Sequence, residues 1–519
     1  MTQPRKRLSL ATWIRAAAVA AVAALVFGTG SHAQQSAATT AAGAQPQAYR
    51  QAMERADQQI AAAEKDHSEA LENERYLTTY IGPRLTGSPA MQKASAWTLS
   101  MFQKYGLEAH LETTRIPYAW VRGNDWGELV SPVQHWMTVR SAAWSKATPG
   151  AVAGRLVLVN ENTTAEEIAA DATKYKDAIV LSDEPEGPAH LPPNPPNAYN
   201  AVIPAPHGVP KAPAVSFRQR FENFRKVMTA LAQEGAVAIL RDSDKPDALI
   251  LTGSASFPAY EPSALPVAYL SHPDYQWLLR LAKDGRGTFR IHLAGTFSQG
   301  PVPASITVAQ IKGRVDPDQQ VIIGGHLDSW DLGEGAVDNG TGAMATLEAA
   351  RLLKSLGWSP NRTLTFILFT GEEQGGIGVE TYLKNHAGEI PKMDAVLVDD
   401  TGTGRITSIS MEDYWPTGPE FQAVYLPLEE VFDLDPISTQ YFGSSDHVAF
   451  QREGVASYFA VQAAAHYGYA HHSTDDVFEI VRPEALEEQA ALLAAWMWNV
   501  SQLPESFPHH AREPQPRPF

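Results

Sequence analysis

Residues Gly324–Gly342 (GGHLDSWDLGEGAVDNGTG) set one histidine and four carboxylates among glycines, directly after the apolar run Val321-Ile322-Ile323. Imidazole and carboxylate are nitrogen and oxygen ligands for a divalent cation. Further along, FTGEEQGG supplies Glu372 and Glu373, DDTG supplies Asp399 and Asp400, and YAHHSTDD supplies His471 and His472. Adjacent glutamates suit a division of labour in which one carboxylate binds metal and the other takes a proton from water. A histidine and an aspartate two residues on lie on the same side of a strand, so the Asp328 carboxylate is expected to orient His326. Taken singly, each fragment also reads as a solvated acidic loop. What points to a metal centre is their combination, in this order, at the ends of predicted strands.

Competing chemistries fail on the sequence. There is no cysteine, which removes thiolate nucleophiles, disulfides and sulfur ligands. No G-x-S-x-G, H-E-x-x-H, G-x-x-x-x-G-K-[ST] or complete G-x-G-x-x-G occurs. A net charge of −17 over 519 residues argues against nucleic acid or an anionic membrane as partner, since both need a basic face.

Groups so scattered in sequence need a sheet whose strands end together. From about residue 294 the chain alternates: strand Val321–Gly325, helix Ala343–Leu356, strand Leu364–Thr370, helix Ile377–Asn385 and strand Ala395–Val398. A final helix follows, with Leu486, Ala490, Leu493, Met497 and Val500 on one face. Such alternation predicts an α/β domain with a mixed, mostly parallel sheet covered by helices on both faces, with its site at the carboxyl ends of the strands. Upstream, residues 49–128 are read as the N-terminal part of that domain: a helix over Tyr49–Ile81, a second over Pro89–Tyr105 closed by Gly106, and a strand over Ala109–Tyr118. Residues 129–293 carry short β-type runs without clustered histidines and acids, and are expected to form a separate, β-rich, non-catalytic insertion. Within it, ten of the 29 residues from 185 to 213 are proline, which predicts a loop or extended arm. Catalytic residues are expected in 294–505, with a tail over 506–519.

The N-terminus reads as an export signal over residues 1–33. Arg5, Lys6 and Arg7 precede the apolar stretch Ala16–Phe27 and the small-x-small triplet Ser31-His32-Ala33; a retained single anchor is the alternative. Residues 34–48 are read as a flexible lead-in. The mature protein is therefore expected to be periplasmic or secreted, off the membrane once the signal is cleaved.

On these motifs, residues 300–500 resemble the co-catalytic di-zinc exopeptidases, a family of leucyl-type aminopeptidases and glutamate carboxypeptidases. GGHLDSWDLGEGAVDNGTGAMATLEAARLLKSLG and RTLTFILFTGEEQGGIGVETYL are most similar to its plasma glutamate carboxypeptidase (carboxypeptidase Q) branch. That branch carries a protease-associated domain ahead of the metal motifs, which residues 129–293 resemble. The resemblance implies two Zn2+ per chain, with Mn2+ or Co2+ compatible with the same ligands. His326, Asp338 and Asp400 would hold one ion and Asp338, Glu373 and His472 the other, with Glu372 as general base and Asp328 behind His326. Asp399 and His471 remain alternatives to their neighbours. The related di-zinc aminoacylase type is set aside, because the large insertion here precedes His326 and His472 follows Asp400 by only 72 positions.

YFGSSDHVAF (Tyr441–Phe450) is closer to the S-D-H-x-x-F signature of the aminopeptidases, which would put Asp446 or His447 at the substrate pocket. The expected substrates are short peptides, cleaved by an aminopeptidase or dipeptidase. A carboxypeptidase, and a non-catalytic receptor-like binding protein, are the other readings. The oligomeric state is left open, a homodimer included.

Overall fold

The computed structural model describes residues 32–160, 162–183, 186–189, 217–255, 260–412 and 415–510. The export signal, apart from residues 32 and 33, and nearly all of the proline arm lie outside the described residues. The chain forms two units, 1–49 and 50–519. A helix runs His32–His67, so the stretch expected as a flexible lead-in is helical. The single helix expected over Tyr49–Ile81 is divided. After His67 the chain restarts as Ala70–Tyr76 and widens into a π-type turn over Leu77–Ile81.

Seven strands form the site-bearing sheet, in the order Glu108–Ile116, Val302–Ile311, Arg362–Phe369, Asp316–His326, Met393–Val398, Ala456–Gln462 and Ile406–Ser410. The four strands from Arg362–Phe369 to Ala456–Gln462 pair in parallel, and the outer pairings are antiparallel. The sheet is thus a parallel core with antiparallel flanks rather than mostly parallel throughout.

Every residue of Arg362–Phe369 is buried, as expected of a strand covered on both faces. Its period-two alternation sends Leu364, Phe366 and Leu368 into one core with the helices Thr341–Ser355 and Pro483–Gln502. Ile367 and Phe369 enter the opposite core with Ile377–Asn385 and His447–Arg452. Each such buried side chain contributes about 1.5–3 kcal/mol. The helix Pro89–Lys104 starts where Ser88 accepts the Met91 N–H, with proline at its first position, and stops ahead of Gly106 at φ +84°.

A second, eight-stranded sheet occupies the insertion, and it is not simply β-rich. Four consecutive interior strands, Val152–Val159, Ala178–Ser182, Ala238–Asp242 and Val267–Leu270, are parallel. Parallel neighbours need crossover connections, and the helix Phe217–Gln233 lies within one of them. Between the two sheets lies an apolar cluster that includes Leu85, Ile116, Trp120, Trp144, Tyr260 and Trp330.

Candidate metal centre

Three parallel strands deliver the predicted groups to one edge. Asp316–His326 ends on His326, Arg362–Phe369 runs into Gly371-Glu372-Glu373, and Met393–Val398 runs into Asp399-Asp400. His326 is buried, and its Nδ1 lies 2.9 Å from the carbonyl oxygen of Asp328. A carbonyl only accepts, so Nδ1 carries a proton and Nε2 is the nitrogen left to face an ion or an acid. That Nε2 faces Asp400 Oδ1 at 3.1 Å and Asp338 Oδ1 at 3.3 Å. On the other side of Asp338, Oδ2 lies 3.4 Å from His472 Nε2 and 3.9 Å from His471 Nε2. His472 Nε2 is 2.9 Å from Glu373 Oε2.

Asp338 therefore stands between two donor groups. The donors of His326, Asp338 and Asp400, and those of Asp338, His471 and His472, each lie close enough to share one ion. His471 stacks on His472 at 3.7 Å between ring centroids and is the more exposed of the two.

Asp399 and Asp400, just past the end of Met393–Val398, go different ways. Asp400 points at His326, whereas Asp399 is buried with both carboxylate oxygens unpaired, and burial, then the charge of Asp400, pushes it up to about 8. Asp328 departs from its expected role. The strand ends at His326, where Leu327 N–H already turns to Phe369 O, so the alternation that would place the carboxylate beside the imidazole stops there. Asp328 Oδ1 is 3.8 Å from Nδ1, and it is the backbone carbonyl that orients the ring. The Asp328 carboxylate instead accepts from Thr86 Oγ1 (3.0 Å) and from the Glu372 N–H (3.4 Å), tying down the turn that carries the paired glutamates.

The SDH motif divides in the same way. Asp446 is buried, has no hydrogen-bond partner for either oxygen, and interacts electrostatically with His326, Asp328 and Asp400. His447 turns away, with Nε2 3.3 Å from the buried Glu412 and its ring against Phe459.

Burial holds Glu372, Glu373 and Asp446 well above the usual carboxylate range, reinforced by the neighbouring acids. Burial opposes the charged form of both Asp338 and His326, but the charge of Asp400 and then the contact with Asp338 raise the imidazole, and the contact with His326 lowers Asp338. Unpaired buried oxygens on Asp338 (Oδ2) and Glu373 (Oε1), amid so much negative charge, fit a centre completed by cations.

Several residues at the site carried no motif. Arg84, fully buried, donates to the carbonyls of Gly82, Leu327, Glu334 and Gly335 at 2.6–3.2 Å, bracing the loop that leads to Asp338. Trp330 lies across His472 at 5.8 Å. The tryptophan inside HLDSWD was the one visible signal. From the insertion, Tyr260 brings its hydroxyl within 2.7 Å of where a Cβ on Gly371 would lie, so the insertion is not remote from the site.

Residues 307–497 match the model of Peptidase family M28. Mouse (Mus musculus) carboxypeptidase Q is 29% identical over 461 residues, covering 83% of this chain and 85% of the relative. A peptidase M28 precursor from Shewanella amazonensis SB2B has the same fold, with a TM-score of 0.71 at 24% identity over 89% of this chain and all of that one. A zinc aminopeptidase from Bacillus subtilis superimposes with a TM-score of 0.58 at 18% identity, over 82% and 93%. The protein is a metallopeptidase. In this metallopeptidase the family match spans His326 through His472, the whole donor cluster. Among the described residues, no helix is long and apolar enough to cross a membrane.

Proposed function

We propose that this chain is a di-zinc exopeptidase that releases residues from the amino end of short peptides. The observation that carries this reading is Asp338, buried between His326 and Asp400 on one side and His472 and Glu373 on the other. His326, Asp338 and Asp400 would hold one zinc; Asp338, Glu373 and His472 would hold the second. Bound there, the ions would supply Lewis acidity to a water molecule and to the scissile carbonyl.

The chain's own residues do the rest. Glu372 is buried beside the cluster and held in place through its N–H on Asp328, so it can take the proton from the attacking water and return it to the departing amine. Asp446, buried and unpaired, offers a carboxylate to a substrate α-ammonium. Arg84 and Lys245, cations at the cluster's edge, donate to backbone carbonyls. That favours an amino-end reading over recognition of a free substrate carboxylate. The similarity to carboxypeptidase Q keeps carboxypeptidase action as the second reading. The insertion is taken as a protease-associated-like domain and the mature protein as exported.

The test is a panel of free, N-blocked and C-blocked short peptides, given to zinc-loaded protein and to Glu372→Gln. Cleavage that requires a free amine and falls by about 10²–10⁴ in the variant is expected. Cleavage that requires a free carboxylate makes the protein a carboxypeptidase. No cleavage with metal bound removes the enzymatic reading.

A further inference from the structure

The geometry points to the insertion as part of the metal centre: its loop 243–252, through Lys245, is a positioning element for His472. This rests on the reading that His472 holds one of two ions. His472 sits at φ +56°, a left-handed conformation that a non-glycine residue rarely adopts and that persists only where its surroundings hold it. The catalytic domain contributes the turn around Tyr467–Ala470 just before it. The other contacts along its backbone come from the insertion. Thr252 N–H donates to His472 O at 2.8 Å, Thr474 N–H donates to Ile250 O at 3.1 Å, and Leu251 forms an antiparallel bridge with Ser473. Residues 250–252 thus pair with 472–474 like a short added strand.

Lys245 completes the clamp. Its Nζ donates to Gly468 O and His471 O, both at 2.9 Å, holding the two ends of the turn that precedes His472. The loop is itself tied to its own sheet: Ser243 N–H donates to Leu270 O, and Ser243 Oγ bridges Leu249 O (2.7 Å) and Leu251 N (2.6 Å). A rigid line therefore runs from the second sheet to one ligand. Through these two carbonyls Lys245 acts on the backbone on which His472 is mounted. Among the described residues, His326 and Asp400 have no such backbone pairing with the insertion, so its loss falls on one ion and not the other.

The experiment is stepwise zinc removal from wild type, Lys245→Met and Lys245→Arg with a chromophoric chelator. Amide hydrogen exchange over 467–474 is followed in the metal-free proteins. Two ions in wild type uphold the underlying reading; fewer than two defeat that reading and with it this one. Given two, Lys245→Met is expected to weaken one ion about 10–100-fold, the usual effect of losing a ligand's support, and to leave the other unchanged. Exchange at 467–474 rises while that of Asp316–His326 does not, and Lys245→Arg restores most of the affinity. Unchanged affinity for both ions, or equal loss of both, overturns the proposal. Should Lys245→Met fail to fold, Lys245→Gln is judged by the same criteria.

Discussion

Replacing Arg84 by methionine removes a guanidinium that binds no substrate or metal, yet the site is expected to loosen. The side chain is fully buried and donates to four carbonyls, at 2.7 Å to Leu327, 3.0 Å to Glu334, 2.6 Å to Gly335 and 3.2 Å to Gly82. A hydrogen bond to a charged group is worth about 1.5–3 kcal/mol. Four would total well above what single substitutions show, because bonds to one group are not additive. Removing one partner of a buried charged network costs about 3–5 kcal/mol, and that is the range predicted. Arg84→Lys keeps the charge but loses the planar fork and is expected to fall between. Urea unfolding of metal-free protein measures both, free of any contribution from bound ions. A loss under about 1 kcal/mol for Arg84→Met would refute the reasoning and leave the loop from Glu334 to Asp338 braced by something else.

His472→Ala is expected to lose one zinc per chain while His471→Ala keeps both, read by native mass spectrometry; the reverse result exchanges their roles. Asp57 is buried against Asn499, and burial raises its carboxyl to about 7. Its contribution is therefore full below the unfolded value of about 4 and is lost as pH rises through 7. Asp57→Asn should accordingly raise the denaturation midpoint at pH 8, by up to roughly 4 kcal/mol of stability, and not at pH 4. Equal effects at both pH values would contradict the burial argument.

Much of the catalytic sheet was legible because its physics is local. Apolar runs bounded by glycine marked the strands, and the helix Ile377–Asn385 falls where it was expected. The ligand candidates were legible as well, since the carboxyl edge of a parallel sheet is where such groups collect. Asp399 and Asp400 were separable only by the tertiary structure, which buries one and turns the other to His326. Asp328, two residues past the end of its strand, comes only within 3.8 Å of the His326 ring, because the alternation does not continue that far. Arg84, Thr86, Lys245 and Tyr260 were invisible: each is a single residue without a motif, brought in by tertiary packing from far away in sequence. The insertion's parallel strands were visible as short apolar runs, but its pairing with residues 472–474 runs through backbone atoms, on which side-chain identity is silent.

The account stands on Asp338 being shared between two ions. Calorimetric titration of metal-free wild type, Asp338→Asn and Asp399→Asn with zinc tests it directly. Two ions in wild type and in Asp399→Asn, with both greatly weakened in Asp338→Asn, is the predicted result. A single ion in wild type, or an Asp338→Asn variant that still binds two with unchanged affinity, would contradict it.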